Sequence, residues 1–249
     1  GTHLISIKAK ANLEQIIPYT CPTFIGFPNT VSDAYRAAEF IKELHEFEKN
    51  DNFPNFSIML LPTDHTSGTR PGVPTPRAAV ADNDLALGQI VEAISKSKFW
   101  KETCIFVTED DPQAGLDHVD GHRTVGMVIS PYTKRQAVDS TLYTTSSMVR
   151  TIELLLGLPP MTQFDAAAMP FYASFEAKAN LTPYTHVKPR VDVNARNGEN
   201  AIGAQVSLAM DFSEYDRAPM FELNEVIWKS LHGADSEMPL PRSRFHFRY

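Results

Sequence analysis

The sequence predicts an α/β fold, a largely parallel sheet with helices on both faces. Three observations carry this. Short apolar runs alternate with segments of helical periodicity, turn residues separate the two, and the polar loops fall directly after the apolar runs. A chain of 249 residues is long enough for a sizeable single core, so one domain is expected over 1–249, with its core at 32–175 and an irregular extension at 176–249.

Residues 1–31 are broken by Pro18, Pro22 and Pro28 and show little periodicity. From Ser32 to Lys49, Ala34, Ala37, Ala38, Ile41, Leu44 and Phe47 recur at helical spacing, which predicts a helix with one buried stripe. After the turn residues DNFPN, the run FSIMLLP reads as a strand buried on both faces. The segment TDHTSGTRPGVPTP holds three prolines and two glycines and must be a loop at that strand's end. Helical character returns over 78–97, and CIFV is again a strand running into a polar loop. RTVGMVISP is a third strand, and SSMVRTIELLLGLPP a helix opened by a serine and closed by Gly157. Residues 176–207 are polar and loop-like, with KPRVDVNARNGENA the most flexible in appearance. FELNEVIWKSLHG reads as a last helix with Leu223, Val226, Ile227 and Leu231 on one face.

The net charge of -7 and a pI near 5.6 exclude a general nucleic-acid binder, because no Lys/Arg block offsets the acids. No run approaches the roughly 20 apolar residues of a membrane span. The start GTHLISIKAK lacks the regions of a signal peptide. Cys21 and Cys104 have no CxxC spacing and form no disulfide framework, and Cys104 reads as a buried thiol.

Chemistry concentrates in two loops. VTEDDPQAGLDHVDGHR places Glu109, Asp110, Asp111, Asp117 and Asp120 beside His118 and His122. Like charges at this density need either water or a cation among them. The loop is therefore a solvated acidic turn or a metal site. A second pair, Asp64 and His65, follows another strand, and in α/β sheets loops at strand carboxyl ends meet around ligands. That pairing favours the metal reading, with Asp64, His65, Asp110, Asp111, His118 and His122 as candidate ligands. Asp117 and Asp120 read as partners of the histidines. Arg70 and Arg123 flank the loops and hold either a phosphate-like anion or one of the surplus acids. Mixed imidazole and carboxylate donors point to zinc, one or two ions, with manganese, iron or calcium as alternatives.

At LPTDHTSGTRPG, at TPRAAVADNDLALGQIVEAISKSKFW and at IFVTEDDPQAGLDHVDGHRTVGMVISPYT the sequence resembles a bacterial phosphoesterase family that includes phospholipase C and acid phosphatase-like proteins, within the alkaline phosphatase superfamily. It is most similar to secreted or surface members joined to β-propeller repeats. The resemblance runs from Ala34 to Phe175 and continues weakly through SEYDRAPMFELNEVIWKSLHG. It implies an alkaline phosphatase-like fold, a phosphate ester substrate and a location outside the cytoplasm. It also implies that Asp110 and Asp111 hold the metal nearest the nucleophile, that Asp64 holds the other, and that His122 is the late histidine ligand, with His65 and His118 as further candidates.

The pattern departs from the superfamily in two places. Gly68 stands where a histidine follows the aspartate by four residues, so a second metal is altered or missing. Thr20, Thr23, Thr30 and Ser32 lack the preceding acid that marks the nucleophile. The chain thus resembles the carboxyl-terminal part of a larger phosphoesterase domain, its nucleophile in an upstream segment. The rival expectation is a non-catalytic surface module with a structural metal, serving adhesion or assembly.

Overall fold

The computed structural model describes residues 8–27, 31–110, 123–214 and 217–240. In chain order the helices and strands are α1 (Asp33–Asn50), α2 (Pro76–Lys96), β1 (Ile105–Thr108), β2 (Gly126–Ile129), α3 (Thr145–Leu156), α4 (Gln163–Ala167), α5 (Ala204–Ala209) and α6 (Met220–His232). Short 3-10 turns stand at Glu14–Tyr19, Thr63–His65, Trp100–Glu102 and Tyr172–Ser174.

Helix α1 begins where Ser32 accepts a hydrogen bond from the Tyr35 amide, and it ends at Asp51 in the left-handed region. Its buried face is Asp33, Arg36, Ala37, Phe40 and Leu44. The stripe is rotated from the one expected: Ala38 is exposed and Phe40 is buried. A purely apolar template skips Asp33 and Arg36, whose charges satisfy one another inside. Helix α2 is capped by Thr75, with Pro76 in the first turn where its missing N–H costs nothing. Ala37, Phe40 and Leu44 pack with Ala86, Ile90, Ile94 and Trp100 to form the main core. Each fully buried large apolar side chain contributes roughly 1.5–3 kcal/mol.

The sheet differs from the expectation. Among the described residues it has two strands, and they pair antiparallel, Ile105 opposite Ile129 and Thr108 opposite Gly126. A parallel pair needs a long crossover, usually a helix, whereas an antiparallel pair can return at the same end. Just beyond the pair, the Glu109 amide bonds the Val125 carbonyl at 3.3 Å. The run FSIMLLP joins no ladder among the described residues. It is also covered on one side only. Met59 and Leu61 pack on the main core, while Ile58 is 86% exposed with Phe56 and Leu60 also outward. Val125 and Met127 are likewise exposed, so the described residues do not supply helices to both faces. Helix and strand are both present, as α/β requires, but a large parallel sheet is not what these residues form.

Helix α3 opens with Thr144 and Ser147 bonding each other's amides, a reciprocal cap whose first residue stands two positions ahead of the serines that the sequence suggested. Gly157 closes it at φ 68. In α6, Leu223 and Val226 are buried with Met210 in a second small core. The polar stretch 176–207, loose in appearance, is tied down. Tyr184 donates its amide to Ser95 Oγ at 2.9 Å, and Asn197 and the Val73 carbonyl meet at 3.0 Å. No described helix is long and apolar enough to cross a membrane.

Candidate functional site

The strand-like run ends at Pro62, and the next three residues form the tight turn Thr63, Asp64, His65. Thr66 leaves that turn with φ 50, a conformation that side chains with a Cβ rarely adopt. Such strain persists only where the surroundings over-determine it. They do so from two sides.

On one side lies a buried polar network. Asp33 and Arg36 are each 0% exposed and paired at 2.9 Å. Arg36 also donates to the carbonyls of Ile25 at 2.7 Å, Gly26 at 2.5 Å and Val31. The other oxygen of Asp33 accepts from the Thr63 amide at 3.0 Å and from Asn83 Nδ2 at 3.2 Å, while Asn83 reaches the Leu61 carbonyl at 2.7 Å. Asp82 accepts the Asp33 amide at 2.6 Å. Burial pushes the Asp33 carboxyl up, against the Thr63 amide and the Arg36 guanidinium, which favour its charge.

On the other side, Thr69 is 1% exposed and donates its amide to Ser207 Oγ at 3.0 Å. Asn197 donates to the carbonyls of Gly68 and Pro74 at 3.3 and 3.2 Å. Gly68 has φ +61, and a Cβ there would stand 2.6 Å from Ser207 Oγ. A glycine is required by backbone and space alike.

The first expected ligand, Asp64, is half-buried and meets the second loop. Burial raises its carboxyl above the ordinary range, a hydrogen bond with Glu109 opposes that rise, and the charges of Asp33 and Asp110 add to it. Asp64, Glu109 and Asp110 therefore share one neighbourhood. Asp110 itself is exposed, and Glu109 is half-buried. His65 stands edge-on to Phe27 at 5.6 Å, and its Nε2 is buried with no hydrogen-bond partner among the described residues. Thr66 Oγ1 is in the same condition.

The remaining expected residues are placed as follows. Arg70 is half-buried, with its guanidinium 5.8 Å from the centre of the Phe212 ring. Arg123 is exposed at the approach to β2. Asp111, His118 and His122 lie outside the described residues. Among the described residues no three His, Cys, Asp or Glu side chains converge closely enough to hold a metal ion. Asp64 and His65, a carboxylate and an imidazole on one tight turn, are of the donor types that a divalent cation takes. Cys104 is a free thiol pushed by burial up to about 12, so it stays protonated at neutral pH and is no nucleophile.

Two groups of residues escaped the sequence reading. Glu109 was counted among the acids but not as a partner of Asp64. Asp33 and Arg36 were read only as part of a helix; an Asp at the first helical turn with Arg three residues on was the available signal.

Comparison with known proteins gives one family. The model of the Phosphoesterase family matches residues 21–159, more than half of the chain. No curated protein matches, and no solved structure matches. The matched span includes α1, α2, both strands and both loops that meet at Asp64.

Proposed function

We propose a metal-assisted reaction from a fixed premise: this chain belongs to the phosphoesterase family, whose domain supports hydrolysis of phosphate esters. The observation that carries the metal is the half-buried Asp64, hydrogen-bonded with Glu109 and within the field of Asp110, one residue before His65, whose Nε2 has no hydrogen-bond partner among the described residues. Asp64, His65 and Asp110 are the described donors, and Asp111, His118 and His122 are assigned as the rest of the ligand set. Zinc is the first expectation, with manganese, iron or calcium as alternatives. When bound, such an ion polarises the phosphoryl oxygens and lowers the pKa of an attacking water or hydroxyl.

The chain's own residues do the positioning. The Thr63–His65 turn fixes Asp64 and His65 as neighbours on a short arc. Arg70 and Arg123 are assigned to the phosphate, since a guanidinium matches its oxygens in pairs. The nucleophile is assigned to the upstream segment that the resemblance implies. On the same resemblance we place the natural protein outside the cytoplasm, joined to a β-propeller.

The test is metal content of the chain by plasma mass spectrometry together with hydrolysis of bis-p-nitrophenyl phosphate by the full-length protein that carries the nucleophile, each for the natural sequence and for Asp64→Ala and Asp110→Ala. Bound zinc or manganese and chelator-sensitive hydrolysis, both lost in the variants, are the expected results. Hydrolysis indifferent to chelator and to both substitutions would remove the metal from the reaction. Absence of both metal and hydrolysis favours the second reading, a non-catalytic surface module. Gly68, standing where the superfamily has a second-metal histidine, is the observation on that side.

A further inference from the structure

We infer that Asp33 is a positioning residue of the phosphoesterase site: through the Thr63 amide it sets the turn that presents Asp64 and His65. This rests on the proposed role of those two residues. The geometry is a short chain of buried contacts. Asp33 lies at the start of α1, and one carboxylate oxygen takes both the Thr63 amide at 3.0 Å and Asn83 Nδ2 at 3.2 Å. Its other oxygen is locked by Arg36 at 2.9 Å, and its own amide is held by Asp82 at 2.6 Å. Every atom of Asp33 that could rotate is thus fixed by α1 or α2, and the free end of that lock is the amide one residue before Asp64.

The choice of a charged group here needs an explanation beyond stability. Burying an ion pair seldom stabilises more than an apolar pair of the same volume. What the carboxylate provides is direction. It offers acceptors at fixed angles to three groups at once: the Thr63 turn, α2 through Asn83, and the carbonyls of Ile25, Gly26 and Val31 through Arg36. Thr63 Oγ1 lies 3.4 Å from the Val31 carbonyl, so that carbonyl also meets the turn directly. A shift of the turn by a fraction of an ångström would move Asp64 relative to Glu109 on the opposite loop.

The experiment uses Asp33→Asn, which keeps shape but loses the charge facing Arg36, and Asn83→Ala, which leaves the ion pair whole and frees one Asp33 oxygen together with the Leu61 carbonyl. Three quantities are read at a temperature where far-UV circular dichroism shows both variants folded: exchange of the Thr63 and Asp64 amides by NMR without added metal, the dissociation constant for Zn²⁺ alone by calorimetry, and kcat and KM of the full-length protein on bis-p-nitrophenyl phosphate. Asp33→Asn is expected to lose protection at Thr63 and to lower kcat by about tenfold or more with KM little changed, since misplaced reacting groups act on the chemical step. Asn83→Ala is expected to move the same readouts less. If amide protection falls while kcat and Zn²⁺ affinity stay at the wild-type values, Asp33 is merely structural and the inference is overturned. If Asp33→Asn does not fold, Asn83→Ala decides by the same comparison. A wild-type protein that neither binds Zn²⁺ nor hydrolyses the ester defeats the underlying reading, and the inference with it; that outcome is seen before either variant is made.

Discussion

The two loops that meet at Asp64 are secured in opposite ways. The loop from Thr63 to Thr75 is gripped from both flanks, by Asp33 and Asn83 on one and by Ser207 and Asn197 on the other. The described part of the other loop is held at its root by backbone hydrogen bonds, and the Glu109 side chain meets Asp64. The Glu109 amide bonds Val125, and the Glu109 carbonyl accepts from Thr108 and Thr124 at 3.2 Å each, so all three contacts fall on one residue's backbone. Asp110, one residue on, is exposed. A catalytic arrangement needs one half pre-set, and here the stiff half is the one that carries backbone strain at Thr66.

If this contrast is right, substitutions behind the first loop must cost stability, and those in the second must cost chemistry alone. The largest effect is expected for Arg36→Met. Removing the guanidinium leaves Asp33 charged and buried without its partner, which costs about 3–5 kcal/mol. Against a domain stability of roughly 5–15 kcal/mol this leaves the fold marginal. Urea unfolding followed by circular dichroism measures it. The counterpart, Asp110→Ala, is expected to shift unfolding by about 0.5 kcal/mol or less, because an exposed side chain has little to lose, while hydrolysis is abolished. Equal stability losses in the two variants would erase the distinction between the loops.

A smaller effect tests the second flank. Gly68→Ala forces a left-handed backbone onto a residue with a Cβ and drives that atom to within 2.6 Å of Ser207 Oγ and 3.3 Å of Leu223 Cδ1. The expected cost is about 1–3 kcal/mol, read as a lower urea midpoint. Pairing it with Ser207→Gly, which removes the crowding but not the positive φ, separates strain from contact. Recovery of part of the loss locates the clamp at Ser207. No recovery assigns the whole cost to the backbone.

What the sequence made legible follows a physical division. Helices α1, α2, α3 and α6 could be read because apolar periodicity and caps such as Ser32 and Gly157 are local signals. The direction of the one described strand pair was not legible, because an apolar run carries no mark of whether its partner lies parallel or antiparallel. The exposed side of FSIMLLP was equally invisible, since an apolar run is the same string whether one face or both are covered. Asp64 and His65 stood out as a pair of titratable residues in a proline- and glycine-rich loop. Asp33, Arg36, Asn197 and Ser207 did not, because polar residues satisfied internally look in sequence like polar residues facing water.

The smallest expected effect concerns protons. The Asp64 carboxyl is raised by burial and by the charges of Asp33 and Asp110, so the folded chain binds its proton more tightly than the unfolded chain does. The sign follows from linkage. Below the unfolded carboxyl value, about 3.9, both states are protonated and the contribution is complete. As pH rises from there through the raised folded value, the unfolded state gives up its proton first, and the stability is lost. Glu92 and Asp139, each held down to about 2, run the other way, losing stability as pH falls toward that value, so they mask Asp64 in the wild type alone. The difference between wild type and Asp64→Asn cancels them. That difference is expected to move in favour of Asp64→Asn as pH increases from about 4, and to level off once Asp64 is ionised. Zn²⁺ reverses it if Asp64 is a ligand, because a cation stabilises the ionised carboxyl that Asn cannot offer. Urea midpoints across pH, with and without Zn²⁺, give the answer. A difference that is flat with pH would mean that Asp64 is solvated like any surface acid, and one that is indifferent to Zn²⁺ would take Asp64 out of the ligand set while leaving its burial intact.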